Sequence, residues 1–227
     1  AIDTAEAGDI VSLAGMSKAT VADTIADQSV QDPIPAQPID PPTITVTFGI
    51  NDSPLAGRDG KKVQSRVIRD RLLKECESNV AIKMVDTPGG EAFDVSGRGE
   101  LQMGVLIENM RREGFELSIS RPRVIYKDVE GVKNEPVEEV TIDVDEEFSG
   151  AVIEKLSARK GEMVDLKSSG SGKTRIVSLV PSRGLIGYHS EFMTDTRGTG
   201  ILNRVFHSWS PHKGSIPGRR QGVLISM

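Results

Sequence analysis

The sequence has no apolar run approaching the ~18 residues that suggest a membrane-spanning helix, and it holds a single cysteine, Cys76, in 227 residues. The first lack argues against a membrane protein, and the second excludes an internal disulfide framework. A basic stretch leading into a short apolar one is also missing at the start, so secretion is not indicated and a cytoplasmic location is expected. Nor is there an excess of base. The net charge is -5, which argues against a histone-like binder of bare nucleic acid. No Ser/His/Asp set is legible. His189, His207 and His212 have no second ligand cluster, so neither a catalytic triad nor a metal site is expected.

What is present is charge arranged in blocks. Lys18 is the only base in residues 1–57, whereas residues 58–74 carry Arg58, Lys61, Lys62, Arg66, Arg69, Arg71 and Lys74 against Asp59 and Asp70. Residues 135–147 hold seven acids and no base. They alternate with apolar residues, which reads as the solvated face of a strand. Residues 183–220 then combine Arg183, Arg197, Arg204, Lys213, Arg219 and Arg220 with the three histidines, Tyr188, Phe192, Phe206 and Trp209. Bases interleaved with rings and glycines suit irregular RNA; a basic solvated surface over core aromatics is the other reading.

Five prolines fall in residues 32–42, which no helix or central strand tolerates. This marks a stiff linker over 31–41 and a domain boundary. Before it, residues 1–30 show short apolar runs spaced like strands and turns. After it, Ile44, Val46 and Phe48 alternate with threonines, the period of a half-buried strand. Helical spacing over 66–76 carries Ile68, Leu72 and Cys76, with Ser65 as N-cap; this places Cys76 in the core rather than in a nucleophilic site. Strands are predicted at 80–84 and 92–95. A helix over 101–112 follows, with Met103, Leu106, Ile107 and Met110 on one face and Gly114 ending it. Phe115, Leu117 and Ile119 form a closing strand. The order is strand, helix, strand, strand, helix, strand, the ferredoxin-like split βαβ pattern.

A second copy follows. Val140, Ile142 and Val144 form a strand, 151–160 a helix stopped by Gly161, 163–166 and 175–180 two strands, 185–193 a helix and 201–206 a last strand. The predicted class is α+β, with two tandem ferredoxin-like modules over 42–128 and 135–214. The apolar residues near the end, 215–227, read as the start of a further domain.

Two motifs invite a phosphate reading. Gly172-Lys173-Thr174 ends a glycine-rich stretch, but Lys167 stands where a phosphate loop needs glycine, and 175–180 reads as strand rather than helix. A hairpin turn is therefore expected, with Lys173 and Arg175 at its tip. Gly97-Arg98-Gly99-Glu100 reads either as an anion nest at a helix N-terminus or as a tight turn into that helix.

Several segments carry a family likeness: AEAGDIV at 5–11, 41–72 (PPTITVTFGINDSPLAGRDGKKVQSRVIRDRL), 93–117 with its SGRGELQ core, SRPRVIYK at 120–127, and SRGLIGY within 182–202. Over nearly its whole length the chain resembles the middle and C-terminal part of the BipA/TypA ribosome-associated GTPases, relatives of elongation factor G and LepA. The resemblance implies that residues 1–30 are the tail of a β-barrel domain, that 42–128 correspond to domain III of elongation factors and that 135–214 correspond to domain V. It implies a parent that uses GTP and Mg, acts in translation, large-subunit assembly, stress response and virulence, and contacts tRNA through a C-terminal domain. This stretch itself is expected to carry no cofactor and no GTP hydrolysis, and to be a monomer. The implied partners are ribosomal RNA and ribosomal proteins. Arg183 and Arg197, with Lys173, Arg175, Arg204 and Lys213, are the candidates for RNA. Arg58, Lys61, Lys62, Arg66, Arg69 and Arg98 are candidates for ribosomal contacts by the first module. A single-stranded RNA binder of the RRM type would need aromatic sheet strands, for which only Phe93 offers itself. A small-molecule regulatory module is the remaining alternative.

Overall fold

The computed structural model describes all residues except 1, 3, 17, 18, 20–22, 36–38, 169, 171 and 218–227. The chain divides into two units, Ala1–Ile39 and Asp40–Met227, with the division inside the proline-rich stretch. Among the described residues of the first unit there is neither helix nor strand, so none of the strands expected over 1–30 is seen among them. A strand needs a neighbour for its backbone hydrogen bonds, and no described segment of this unit supplies one. Local turns form instead: the Asp27 carboxylate accepts the Ser29 amide at 3.0 Å and its hydroxyl at 2.7 Å. The apolar final residues of the chain, 218–227, lie outside the described residues.

In the second unit the first module runs β1 (Ile44–Ile50), α1 (Ser65–Ser78), β2 (Lys83–Asp86), β3 (Ala92–Gly97), α2 (Glu100–Arg112), β4 (Leu117–Ile119) and the short β5 (Arg123–Val124). Its antiparallel sheet has the order β2-β3-β1-β4, with β5 continuing the β4 edge along β1. A hairpin strand β6 (Lys127–Val129) leads into the second module: β7 (Val132–Asp145), α3 (Glu146–Ala158), β8 (Glu162–Ser168), β9 (Lys173–Pro181), α4 (Ser182–Leu185), α5 (Tyr188–Asp195) and β10 (Ile201–Pro211). The sheet order β10-β7-β9-β8 repeats that of the first. Both modules are ferredoxin-like, as expected.

Each sheet carries helices on one face, and period-two alternation sends the right residues there. Ile44, Val46 and Phe48 of β1 meet Ile68 and Leu72 of α1 and Met103, Leu106 and Met110 of α2 in one core. Val140, Ile142 and Val144 of β7 meet Val152, Leu156, Leu185, Tyr188 and Phe192 in the other. Each such fully buried side chain is worth about 1.5–3 kcal/mol against exposure. Cys76 packs partly against the first core, and burial pushes its thiol pKa up. No helix among the described residues is long and apolar enough to cross a membrane.

Three helices end in the same hydrogen-bonded motif. After α2, the Phe115 amide returns to the Met110 carbonyl at 3.1 Å and the Gly114 amide to Arg111 at 3.0 Å, with Gly114 at φ +85°. This is the glycine stop that the sequence predicts. After α3 the left-handed residue is Lys160 (φ 67°) rather than Gly161, and after α5 it is Arg197 (φ 51°). The amides of Gly161 and Gly198 close onto Leu156 and Met193, each at 2.8 Å.

Three other expectations shift. Residues 80–82 are a buried turn, not strand: the Ala81 amide donates to the Asn79 side chain at 3.2 Å and the Ile82 amide to the Asn79 carbonyl at 3.0 Å. Ser65 is not the cap of α1 but its first residue, and its hydroxyl donates to the Gly90 carbonyl at 3.4 Å. The second helix of the second module is broken into α4 and α5 by residues 186–187.

Candidate functional site

In the first module one carboxylate builds the basic loop. Glu116, just before β4, accepts the amides of Gly57, Asp59 and Gly60, each at 2.7 Å, and the Asn51 side-chain amide at 3.1 Å. The Gly57 amide first, with the others, holds the Glu116 pKa down to about 2. Gly60 tolerates no side chain, since a Cβ there would sit 2.5 Å from the Gly114 carbonyl oxygen. The loop so fixed presents Arg58 and Lys61, and the first turn of α1 adds Arg66. All three are exposed, with no side-chain partner among the described residues. Lys62 lies over the Phe115 ring at 4.6 Å. Arg69 is taken by Asp86 through two hydrogen bonds of 2.9 and 3.1 Å.

In the second module three turns meet at one end. The Gly172 carbonyl accepts the Glu146 amide at 3.0 Å, tying the β8–β9 hairpin to the start of α3. The Asp145 carboxylate accepts the Thr199 hydroxyl at 3.0 Å, and the Arg197 guanidinium lies 5.6 Å from the Phe148 ring centre. Lys173, opposite Asp145 in the register, and Arg197 are thus brought to the same end from positions 24 apart in sequence. Both are exposed and lack a hydrogen-bond or ion-pair partner for their side chains among the described residues. Arg175 is engaged, with Asp143 at 2.7 and 2.9 Å. Lys173 opens a strand, so Gly-Lys-Thr has no helix behind it and does not form a phosphate-binding loop.

The other three candidate cations of the second module, Arg183, Arg204 and Lys213, are held by carboxylates, and two of those carboxylates come from the seven-acid run. Glu135 is fully buried. It takes Arg183 in a two-pronged ion pair and accepts the Lys213 amide at 2.8 Å, while Arg183 also donates to the Gly214 carbonyl at 2.6 Å. Burial pushes the Glu135 pKa up, but Arg183 and the Lys213 amide outweigh it and hold the carboxyl below its ordinary range. Buried Glu138 faces Arg204 at 3.6 Å, and the Lys213 ammonium meets Glu162 at 2.9 Å. Arg183, Arg204 and Lys213 are therefore internal ties first. The solvated-face reading fails at Glu135 and Glu138 because these two acids find arginines 48 and 66 residues away in sequence.

Between the modules lies a cleft of about 330 Å³ lined by Arg98, Gly99 and Gln102 on one side and Glu138, Arg204 and Phe206 on the other. Arg98 is exposed, its amide donating to the Gln102 side chain at 2.9 Å. Gly99 caps α2 without a side-chain bond. Glu100 does not serve the helix alone, for its carboxylate accepts the Gly187 amide of the second module at 3.0 Å. Gly97 to Glu100 is thus a tight entry turn that also joins the modules. Of the rings expected to face RNA, Tyr188 and Phe192 are core, while Phe206 and Trp209 are partly exposed. Phe93 is buried on the helix-covered face of the first sheet. The open face carries small polar groups, with Thr45 and Ser96 2.8 Å apart and Thr47 donating to Asp94 at 2.6 Å; the aromatic platform of an RRM is not built there. Among the described residues no group of three His, Cys, Asp or Glu side chains could hold a metal ion.

Residues 132–220 match the family model described as the elongation factor G C-terminus. The large ribosomal subunit assembly factor BipA of Bacillus subtilis is 51% identical over 227 residues, the whole of this chain and 37% of that protein. The BipA proteins of Haemophilus influenzae and Escherichia coli K12 are 50% and 48% identical over 225 residues, each covering 99% of this chain. The chain belongs to the BipA family. It spans little more than a third of the length of these BipA relatives. A solved structure from Thermus thermophilus aligns with 79% of the chain and 42% of its own, at 13% identity and a TM-score of 0.49. That likeness adds nothing to the BipA assignment.

Proposed function

We propose that this chain is the ribosome-docking portion of a BipA-type translational GTPase that serves translation or large-subunit assembly in the cytoplasm. Its two ferredoxin-like modules correspond to domains III and V of elongation factors, and residues 1–30 to the end of a β-barrel domain. GTP and Mg are handled by another part of the protein, as is contact with tRNA; this portion hydrolyses nothing and acts as a monomer. The observation that carries the reading is a division of labour among cations. Arg69, Arg175, Arg183, Arg204 and Lys213 are engaged with carboxylates, whereas Arg58, Lys61, Arg66, Lys173 and Arg197 stand exposed without one among the described residues. Exposed cations held on fixed turns are suited to phosphate, which positions a protein on RNA without reading sequence.

The test is co-sedimentation of the purified chain with ribosomes. Alanine at Arg58, Lys61 and Arg66, or at Lys173 and Arg197, should lower the bound fraction while the far-ultraviolet circular dichroism stays unchanged. Full binding by both variants would reject these cations as the docking groups.

A further inference from the structure

Aromatic side chains are scarce here, six Phe, two Tyr and one Trp, and the fold uses most of them as core. Phe48, Phe93, Phe115, Tyr188 and Phe192 are buried, and Phe148 packs onto the second core. The three left over, Tyr126, Phe206 and Trp209, gather where the β6–β7 hairpin runs beside the end of β10. Each group carries a lysine. The Lys133 ammonium lies 3.7 Å from the centre of the Tyr126 ring, which is 5.8 Å from His212. The Lys127 ammonium lies 4.1 Å from Trp209, which is 5.9 Å from Phe206. Such ring–cation pairs occur about once per 70–80 residues, so two on a single hairpin are a concentration.

Neither lysine has an ion-pair partner among the described residues, although acids are close. Asp128, opposite Lys133 in the register, has its carboxylate turned to the Gly131 amide at 2.9 Å, where it closes the hairpin turn. In the antiparallel register Lys127 faces Asn134 and Asp128 faces Lys133, so the two lysines project to opposite faces of the ribbon. The ribbon therefore offers a ring and a free ammonium on each side.

We infer that this ribbon is a base-stacking edge for unpaired nucleotides of RNA. A lysine over a ring is an exchangeable cover: a nucleobase takes the ring's face, and the ammonium, on its four-carbon stem, moves to the adjoining phosphate. An acidic peptide would satisfy the lysines but leave the rings unused. The inference rests on the docking reading for the class of polymer only, because the residues are different.

Trp209 is the sole tryptophan, so its fluorescence reports on this edge alone. Titration with a short oligoadenylate should quench it, whereas heparin, a polyanion without bases, should not. Affinity for the labelled oligoadenylate, read by anisotropy, should fall about tenfold in Tyr126→Ala. It should also fall in the Lys127→Gln/Lys133→Gln double variant, whose exposed substitutions leave the fold intact. Quenching by heparin as strong as by RNA, or oligoadenylate affinity unchanged in both variants, would overturn the proposal. A silent Trp209 alongside normal ribosome pelleting removes this edge and leaves the docking reading standing. Quenching without pelleting does the reverse.

Discussion

At the residue scale, two glutamates do opposite work with the same chemistry. Glu116 organises an exposed loop by collecting amides, so replacing it with Gln should release the loop without unfolding the module. The expected result is lost hydrogen-exchange protection at Gly57, Asp59 and Gly60 and weaker ribosome binding; retained protection would show that the loop holds itself. The pKa of Glu116, about 2, lies below that of a free glutamate, about 4.3. Its contribution is therefore fully present above the latter and lost as pH falls through the former. Amide shifts of the loop followed by NMR should titrate in that window. Glu135 instead binds an arginine in the interior. Breaking a buried pair leaves an uncompensated charge, so Arg183→Ala should destabilise the chain by about 3–5 kcal/mol, read from denaturant unfolding. Removing both charges with Glu135→Leu and Arg183→Met should recover most of that loss.

At the element scale, the legible part of the fold was the part written in local periodicity. Alternation along β1 and β7 and the helical stripe of α2 need only neighbours in sequence, and Gly114 names its own stop. The β6 strand left no such signal, because its three residues are exposed and pair only with β7. The same limit applied to the candidate site. Arg58, Lys61 and Arg66 were visible as a charge cluster, yet nothing local could say that Arg183 would be taken by Glu135 while Arg197 stayed free. Lys160 and Arg197 occupy left-handed positions that glycine fills at less steric cost. Arg197→Gly should therefore leave thermal stability unchanged or raise it by up to about 1 kcal/mol, while weakening ribosome binding. A variant that loses stability as well would mean that the side chain serves the fold through Phe148.

At the scale of the whole molecule, the two modules meet through Glu100 and Gly187 and around the Arg98–Arg204 cleft, so the exposed cations of both are presented from joined bodies. Glu100→Ala should leave each sheet's exchange protection intact, expose the Gly187 amide and reduce ribosome affinity. The central claim, that a few unpaired cations dock the chain on RNA, is tested most directly by the salt dependence of ribosome binding. Each phosphate contact adds about one unit to the slope of log affinity against log salt. Alanine at Lys173 and Arg197 should lower that slope by about two, and alanine at Arg175 should leave it unchanged. An unaltered slope for Lys173 and Arg197, or an equal loss at Arg175, would contradict the account.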